Sequence, residues 1–528
     1  MTGDRWDHVV VGAGSAGSVV AARLARAGRR VLLVEAGADL PPGLPVTHPL
    51  ADPGRLVLEG HNWPHEANLR TPAARATAGG RARWCRFPYR LGMGVGGSSA
   101  VNGAVALRAL PSDLHMWAAA GNPDWTWDDV LPWFRAIEDD RDASGPGHGR
   151  GGPLPVTRPG PDEIGPVDRA FIAACRELGA PEHPDLNDGA EHAVGPVPAT
   201  VADGRRVDAA TAYLTGVRDR PGFTLRTGTR AARVLIGEAG VTGVELAGPA
   251  GAEHVAAREV VLCAGAVGTP PILLRSGIGS AEDVQRIGVP LVTDLPGVGR
   301  GLADHVSVVI WARAAPGAPA PAGRRWRGVL ARLPGGVDRS VDVQVGLLHH
   351  TDPATVPALA GRTGGGRLLG MSVMLMRPRS RGRVSVDSAD PCASALIDLA
   401  IGDEPEDIDR LAAGVRTAWG LLHAPGVRES VAQVQFWSDR TVADDAVLRA
   451  GVRNLAAPGW HPVGTARMGP AEDRSAVVDQ WCRVHGVPGL RVVDASVFPV
   501  VPGVPTNLTT IMLAERVSAA MEAAPCPT

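Results

Sequence analysis

Asp7-His-Val-Val-Val-Gly12 opens the chain with a short, continuously apolar run, and Val31-Leu-Leu-Val-Glu35 repeats it. Short runs that are apolar at every position predict strands buried on both faces. Between them Ala16, Val19, Val20, Leu24 and Ala27 recur at helical spacing, Arg23, Arg26 and Arg29 fall on other faces, and Gly28 supplies a stop. The opening is therefore a β-α-β unit with a right-handed crossover.

Past Gly37 the chain turns irregular and Pro-rich, and segments 40–65 and 139–162 read as long surface excursions. A β-rich stretch begins near Phe223. Val260-Val-Leu-Cys263 predicts another buried strand, followed by a Gly-rich turn and a helix with Thr269 as N-cap and Pro270 at its first position. Residues 308–445 alternate in places, as at Arg383-Val-Ser-Val-Asp387, and contain the Pro/Gly loop 315–324, which suggests a second, sheet-containing domain. The tail returns to the first pattern: Leu490-Arg-Val-Val493 reads as a strand ending in Asp494, and Leu508 to Ala520 as an apolar helix. An α/β class, α+β overall, follows. Segments 1–155, 200–307 and 450–528 are expected to build one discontinuous nucleotide-binding domain, and 156–199 with 308–449 the second.

Gly12-Ala-Gly14-Ser15-Ala16-Gly17 follows a strand and opens a helix, the context a dinucleotide fingerprint requires. Its glycines permit a tight turn and let backbone N–H groups at the helix N-terminus approach a pyrophosphate. Glu35, followed by Ala36, ends the second strand close to where a ribose-binding acid is expected.

Composition narrows the partners. A formal net charge of -2 and a pI near 6.7 give no electrostatic reason to expect nucleic acid or an anionic membrane. All 53 basic residues are Arg, so mechanisms that use a lysine base or Schiff base are excluded. Cys85, Cys175, Cys263, Cys392, Cys482 and Cys526 lack C-x-x-C spacing, so no metal site or disulfide framework is expected, and reduced thiols point to the cytoplasm. No signal-type segment precedes Val9, and the mature chain is expected to begin at or near Met1. The longest uncharged stretch, Leu91 to Leu107, is broken by Gly, Ser and Asn102 and reads as a buried loop and helix rather than a membrane span.

Four further segments carry a resemblance. Gly96-Gly97-Ser98-Ser-Ala-Val-Asn102-Gly103, Gly265-Ala-Val-Gly-Thr269-Pro270-Pro-Ile-Leu-Leu-Arg-Ser276-Gly277-Ile-Gly279, Trp460-His461-Pro-Val-Gly464-Thr465-Ala-Arg-Met468-Gly469, and Val493-Asp494-Ala495-Ser496 with Pro505-Thr-Asn507-Leu-Thr-Thr510 resemble the signatures of glucose-methanol-choline oxidoreductases. The resemblance spans nearly the whole chain, is weakest from 308 to 445, and is nearest to choline-dehydrogenase-like and aryl-alcohol or furfuryl-alcohol oxidase-like members. It implies a Rossmann-like FAD-binding domain, a substrate domain built on an antiparallel sheet, and oxidation of an alcohol to a carbonyl. It also implies FAD contacts at Gly12, Gly14, Ser15, Ala16, Gly17, Glu35, Ala36, Gly97, Ser98, Asn102, Gly103, Ala231, Ala264, Gly265, Asp494 and Ala495. Relatives that bind the flavin covalently use a His where this chain has Val101, so a noncovalent cofactor is expected.

Hydride loss from an alcohol requires a base for the hydroxyl proton, and the resemblance makes His461 that base, with the Asn507 amide donating to the developing alkoxide. Electrons then go to oxygen or to a quinone or protein acceptor, and a homodimer stays open. A hydroxynitrile-lyase-like activity with a structural flavin is the alternative. The family's Gly-x-Asn-Leu-x-Asp-His run appears here as Gly299-Arg-Gly301-Leu-Ala-Asp304-His305, and Gly301 takes no role. Plainer readings cover the rest: His61 and His65 are separated by Pro64 and are not expected to share a metal, His349, His350 and Asp352 are expected on a surface loop, and Arg70 to Arg90 is read as a lid or interface segment.

Overall fold

The computed structural model describes residues 5–40, 43–70, 86–248, 251–319, 325–335, 341–351, 359 and 367–523. The two opening apolar runs form the strands Trp6–Val11 and Val31–Val34, joined by the helix Ser15–Arg26. Phe223–Arg226, Val31–Val34, Trp6–Val11, Gly251–Leu262 and Leu490–Val492 lie side by side in that order, parallel throughout. Val9, Val10, Leu32 and Leu33 are fully buried, as strands covered on both faces must be. The Gly251–Leu262 strand is long enough to serve twice: its first half pairs antiparallel with Gly240–Gly248, which in turn pairs with Arg230–Gly237. The C-terminal helix Asn507–Ala523 closes against Ser15–Arg26, where Arg23 bridges Glu515 and Glu522 at 2.6 Å each.

The helix after Cys263 differs from expectation. It runs Gly265–Arg275, so Thr269 is interior and its hydroxyl donates to Asp494 Oδ2 at 2.7 Å instead of capping. Pro270 has no N–H for the Ala266 carbonyl four residues back, and a proline inside a helix leaves such a carbonyl unpaired. Here the Thr465 hydroxyl donates to that carbonyl at 2.7 Å. A segment two hundred residues away thus makes the irregular helix tolerable.

A second seven-stranded sheet is antiparallel, in the order Val431–Val434, Val306–Ala314, Leu368–Leu375, Val341–Thr351, Val329–Pro334, Ala193–Pro196, with Ala457–Pro458 also on Val306–Ala314. Its side chains alternate up to a register shift between Leu348 and Thr351. Val306, Val308, Ile310 and Ala312, Val343, Val345 and Leu347, and Leu369, Met371, Val373 and Leu375 enter one apolar core beneath the helices Pro405–His423 and Pro166–Glu177. The intervening residues face the other way. The Arg383–Asp387 alternation belongs instead to a separate five-stranded sheet, as the strand Gly382–Ser385.

Two other expectations need correction. Segment 139–162 is not merely a surface excursion: Glu138–Asp140 pairs with Leu154–Val156, and buried Arg108 and Arg158 neutralise Glu138, Asp140 and Asp185. His349 is not on a surface loop, because it is buried on the Val341–Thr351 strand with Nε2 2.8 Å from Asp168 Oδ1. Residues 71–85 of the expected lid, Asp352 and the His350 side chain lie outside the described residues. Among the described residues no helix is long and apolar enough to cross a membrane.

Replacing Thr465 with Val keeps the volume but strands the Ala266 carbonyl. Denaturant unfolding of the holoprotein is expected to register a loss of about 1–3 kcal/mol, and an unchanged midpoint would reject the account of the helix.

Candidate active site

A cavity of about 1800 Å³ runs between the parallel sheet and the inner face of the antiparallel sheet. Gly12, Gly14, Ser15, Ala16, Glu35, Ala36, Gly97, Ser98, Asn102, Gly103, Ala231, Ala264, Gly265, Asp494 and Ala495 all line it, together with His461 and Asn507. Gly17 does not. A Cβ at Gly17 would sit 1.8 Å from the Gly12 carbonyl oxygen, so this glycine lets the helix close on the turn before it.

Backbone geometry shapes the dinucleotide end. Gly12 has φ +99°, and a Cβ there would lie 2.5 Å from the Cys263 carbonyl oxygen. Gly97, at φ +52°, meets Gly14 so closely that a Cβ would come within 2.7 Å of the Gly14 Cα. The result is a cradle with no side chains, at the N-terminus of a helix that has no side-chain cap of its own, which suits a pyrophosphate. Glu35 is buried, and its carboxylate accepts from Ala13 N at 2.8 Å, Gly37 N at 2.8 Å and Gly94 N at 3.2 Å. Burial raises its pKa while those N–H groups oppose the rise. It thus organises the loops as well as facing the cavity, and a carboxylate retains lone pairs for a ribose hydroxyl. Asp494 is likewise occupied, accepting from Gly265 N and the Thr269 hydroxyl through Oδ2 and from Ser496 N through Oδ1. Val101 packs with Leu50 and Val57 and offers no nucleophile for a covalent flavin link.

At the other end the protons can be traced. His305 Nε2 lies 2.9 Å from the Pro502 carbonyl oxygen, which can only accept, so His305 carries its proton on Nε2. Its Nδ1, 2.8 Å from His461 Nδ1, is then an acceptor if the ring is neutral. Burial holds the His305 pKa down at about 4 and pushes that of His461 well below 6.5, with His305 and Arg327 adding to the effect, so both rings are neutral. His461 must therefore donate from Nδ1 and keep a bare Nε2. Asn507 is oriented by the same logic: its Oδ1 accepts from the Ser15 hydroxyl at 2.7 Å, which leaves the amide N–H groups as donors.

His305 and Asp304 were not assigned a role from the sequence, although the Asp-His pair is visible there. Asp304 Oδ1 accepts from the His461 backbone N–H at 2.8 Å, and the Tyr89 hydroxyl donates to Oδ2. Trp460, immediately before His461, adopts φ +58°, a left-handed conformation uncommon for a bulky residue. Gly459 permits the ring contact, since a Cβ there would be 2.9 Å from the His305 Cβ and 3.2 Å from His461 Nδ1.

Family models described as GMC oxidoreductase match residues 6–307 and 378–514. The chain is 36% identical over 542 residues to 5-(hydroxymethyl)furfural oxidase from Methylovorus sp. (strain MP688), covering 99% of each. It is 35% identical over 548 residues to an oxygen-dependent choline dehydrogenase of Yersinia pseudotuberculosis, covering 97% of this chain and 93% of that one. The solved structure of pyridoxine 4-oxidase from Mesorbium loti superposes with a TM-score of 0.88 at 31% identity, over 99% of this chain and 100% of the other.

Burial raises the Asp304 pKa from 3.8 to about 7, against the hydrogen bonds it accepts. The folded state then holds this proton more tightly than the unfolded chain, so the site's stabilising contribution is complete below pH 3.8 and is lost as pH rises to about 7. Asp304→Asn removes that loss. Urea unfolding at about pH 5 and pH 8 should show the variant gaining on the parent at the higher pH, and a parallel response of the two proteins would contradict the assignment.

Proposed function

The chain belongs to the GMC oxidoreductase family of FAD-dependent enzymes that oxidise alcohols, and on that premise we propose that His461 is the general base that takes the substrate's hydroxyl proton. The observation that carries the reading is the polarised ring pair. The chain Pro502 carbonyl, His305, His461 supports an imidazole locked in the tautomer whose Nε2 can accept.

Bound FAD supplies the hydride acceptor. The residues already described as lining the dinucleotide end would hold it, and we take 1–155, 200–307 and 450–528 as the cofactor half of the chain and 156–199 with 308–449 as the substrate half. The division is supported by the parallel sheet drawing its strands from the first set and most of the antiparallel sheet from the second. The Asn507 amide donates to the alcohol oxygen as charge develops on it, and cannot compete for the proton. His461 Nε2 accepts that proton, and His305 keeps the ring from turning. Trp311, Trp326 and Met374 line the wall, an apolar surface that would limit water around the reacting carbon.

Because burial holds the His461 pKa well below 6.5, the base stays unprotonated into mildly acidic solution. Activity should therefore show no acid limb at 6.5 arising from this residue. His461→Ala is expected to slow anaerobic flavin reduction by about 10²–10⁴-fold with bound FAD retained, as read by stopped-flow absorbance; an undiminished rate would remove His461 from the mechanism. If substrate is converted without any bleaching of the flavin, the lyase alternative stands instead. Peroxide formed under air identifies oxygen as the electron acceptor, and its absence identifies another.

A further inference from the structure

Among the described residues the buried arginines donate to carboxylates or to backbone carbonyls, and Arg327, half-buried on the cavity wall, does neither. Arg108 pairs with Glu138, Arg158 with Asp140 and Asp185, Arg332 donates to the Leu186 and Ala190 carbonyls, and Arg206 to the Leu50, Asp52 and Arg55 carbonyls. Arg327, just ahead of the Val329–Pro334 strand, donates from Nη2 to the Ser372 hydroxyl at 2.6 Å, its Nε is buried without a partner, and no carboxylate among the described residues pairs with it. Removing a permanent cation from water without an anion is costly.

Resting on the alcohol-oxidation reading, we propose that Arg327 is a substrate-binding residue and that the alcohol carries a carboxylate, which seats on this guanidinium. Arg327 lines the same cavity as His461 and Asn507. The sheet is cut to receive it: at Gly346 a Cβ would lie 3.1 Å from the Arg327 Cδ and 3.3 Å from its Nε, so any larger residue crowds the arm out. Among the described residues the surroundings offer no carboxylate counter-ion. Gln344 is tied to the Gly503 carbonyl and Ser307 to that of Ala457, while Thr351, on the same wall, has a buried hydroxyl without a partner that can serve as a further donor. Burial lowers the Arg327 pKa to about 10, still charged at neutral pH. A lone guanidinium beside hydroxyls suits a planar monoanion, which it binds through two parallel N–H bonds.

The reaction balances with these groups. The carboxylate end is spectator; at the other end the C–H bond breaks with its electron pair passing as hydride to oxidised FAD, the O–H proton goes to His461 Nε2, and the C=O bond forms.

The test compares 4-(hydroxymethyl)benzoate with its neutral relatives 4-(hydroxymethyl)benzamide and benzyl alcohol as reductants of the holoenzyme, and titrates benzoate against benzamide as non-reacting ligands by the flavin spectrum. We expect the acid to exceed the amide by about tenfold in kcat/KM, benzoate to bind about tenfold tighter than benzamide, and both ratios to collapse in Arg327→Met and recover in part in Arg327→Lys. Equal ratios in the parent overturn the proposal even if the Met variant does not fold. Loss of FAD from an otherwise folded Arg327→Met also overturns it, by assigning the guanidinium to the cofactor. Should none of the three alcohols bleach the flavin while benzoate still binds through Arg327, the anion site stands and the oxidation reading falls.

Discussion

The site depends on one hydrogen bond between two imidazoles. Two neutral histidines can share a proton in either direction, and the direction decides whether the second ring is a base. The Pro502 carbonyl makes the choice, because it has no proton to give and so fixes His305 and, through it, His461. In a chain of buried hydrogen bonds a backbone carbonyl can set the tautomer two rings away.

Holding those rings together is expensive, and the expense is spread over segments far apart in sequence. Gly459 gives up a side chain, Trp460 accepts a left-handed backbone, Asp304 is buried with a proton affinity far from that of an exposed carboxyl, and Tyr89 reaches in from another segment to complete its hydrogen bonds. Helix Gly265–Arg275 shows the same economy, with Thr465 repairing a gap that Pro270 opens. Local preference is overruled wherever the cavity must be shaped, the usual place for such conflicts.

Much of this was legible from the sequence. Continuous apolar runs gave the parallel strands because burial on both faces leaves no polar position, and the first glycine motif located the cradle because its context is local. Thr269 misled because a threonine before a proline is the ordinary sign of a helix start, whereas here a distant aspartate and threonine allow the helix to begin at Gly265. His305 and Arg327 were beyond reach. The first owes its orientation to a carbonyl nearly two hundred residues away, and the second stands out by having no carboxylate partner among the described residues, which no spacing along the chain encodes.

The alternation of the antiparallel sheet separates two kinds of residue along the same strands. Positions 306, 308, 310, 343, 345, 371 and 373 point into the apolar interior, while 307, 309, 311, 344, 348, 372 and 374 face the chamber. Natural variation at the second set can redraw the shape and polarity offered to an incoming molecule without disturbing the packing beneath, so a single scaffold accommodates changing diets with little penalty in folding free energy.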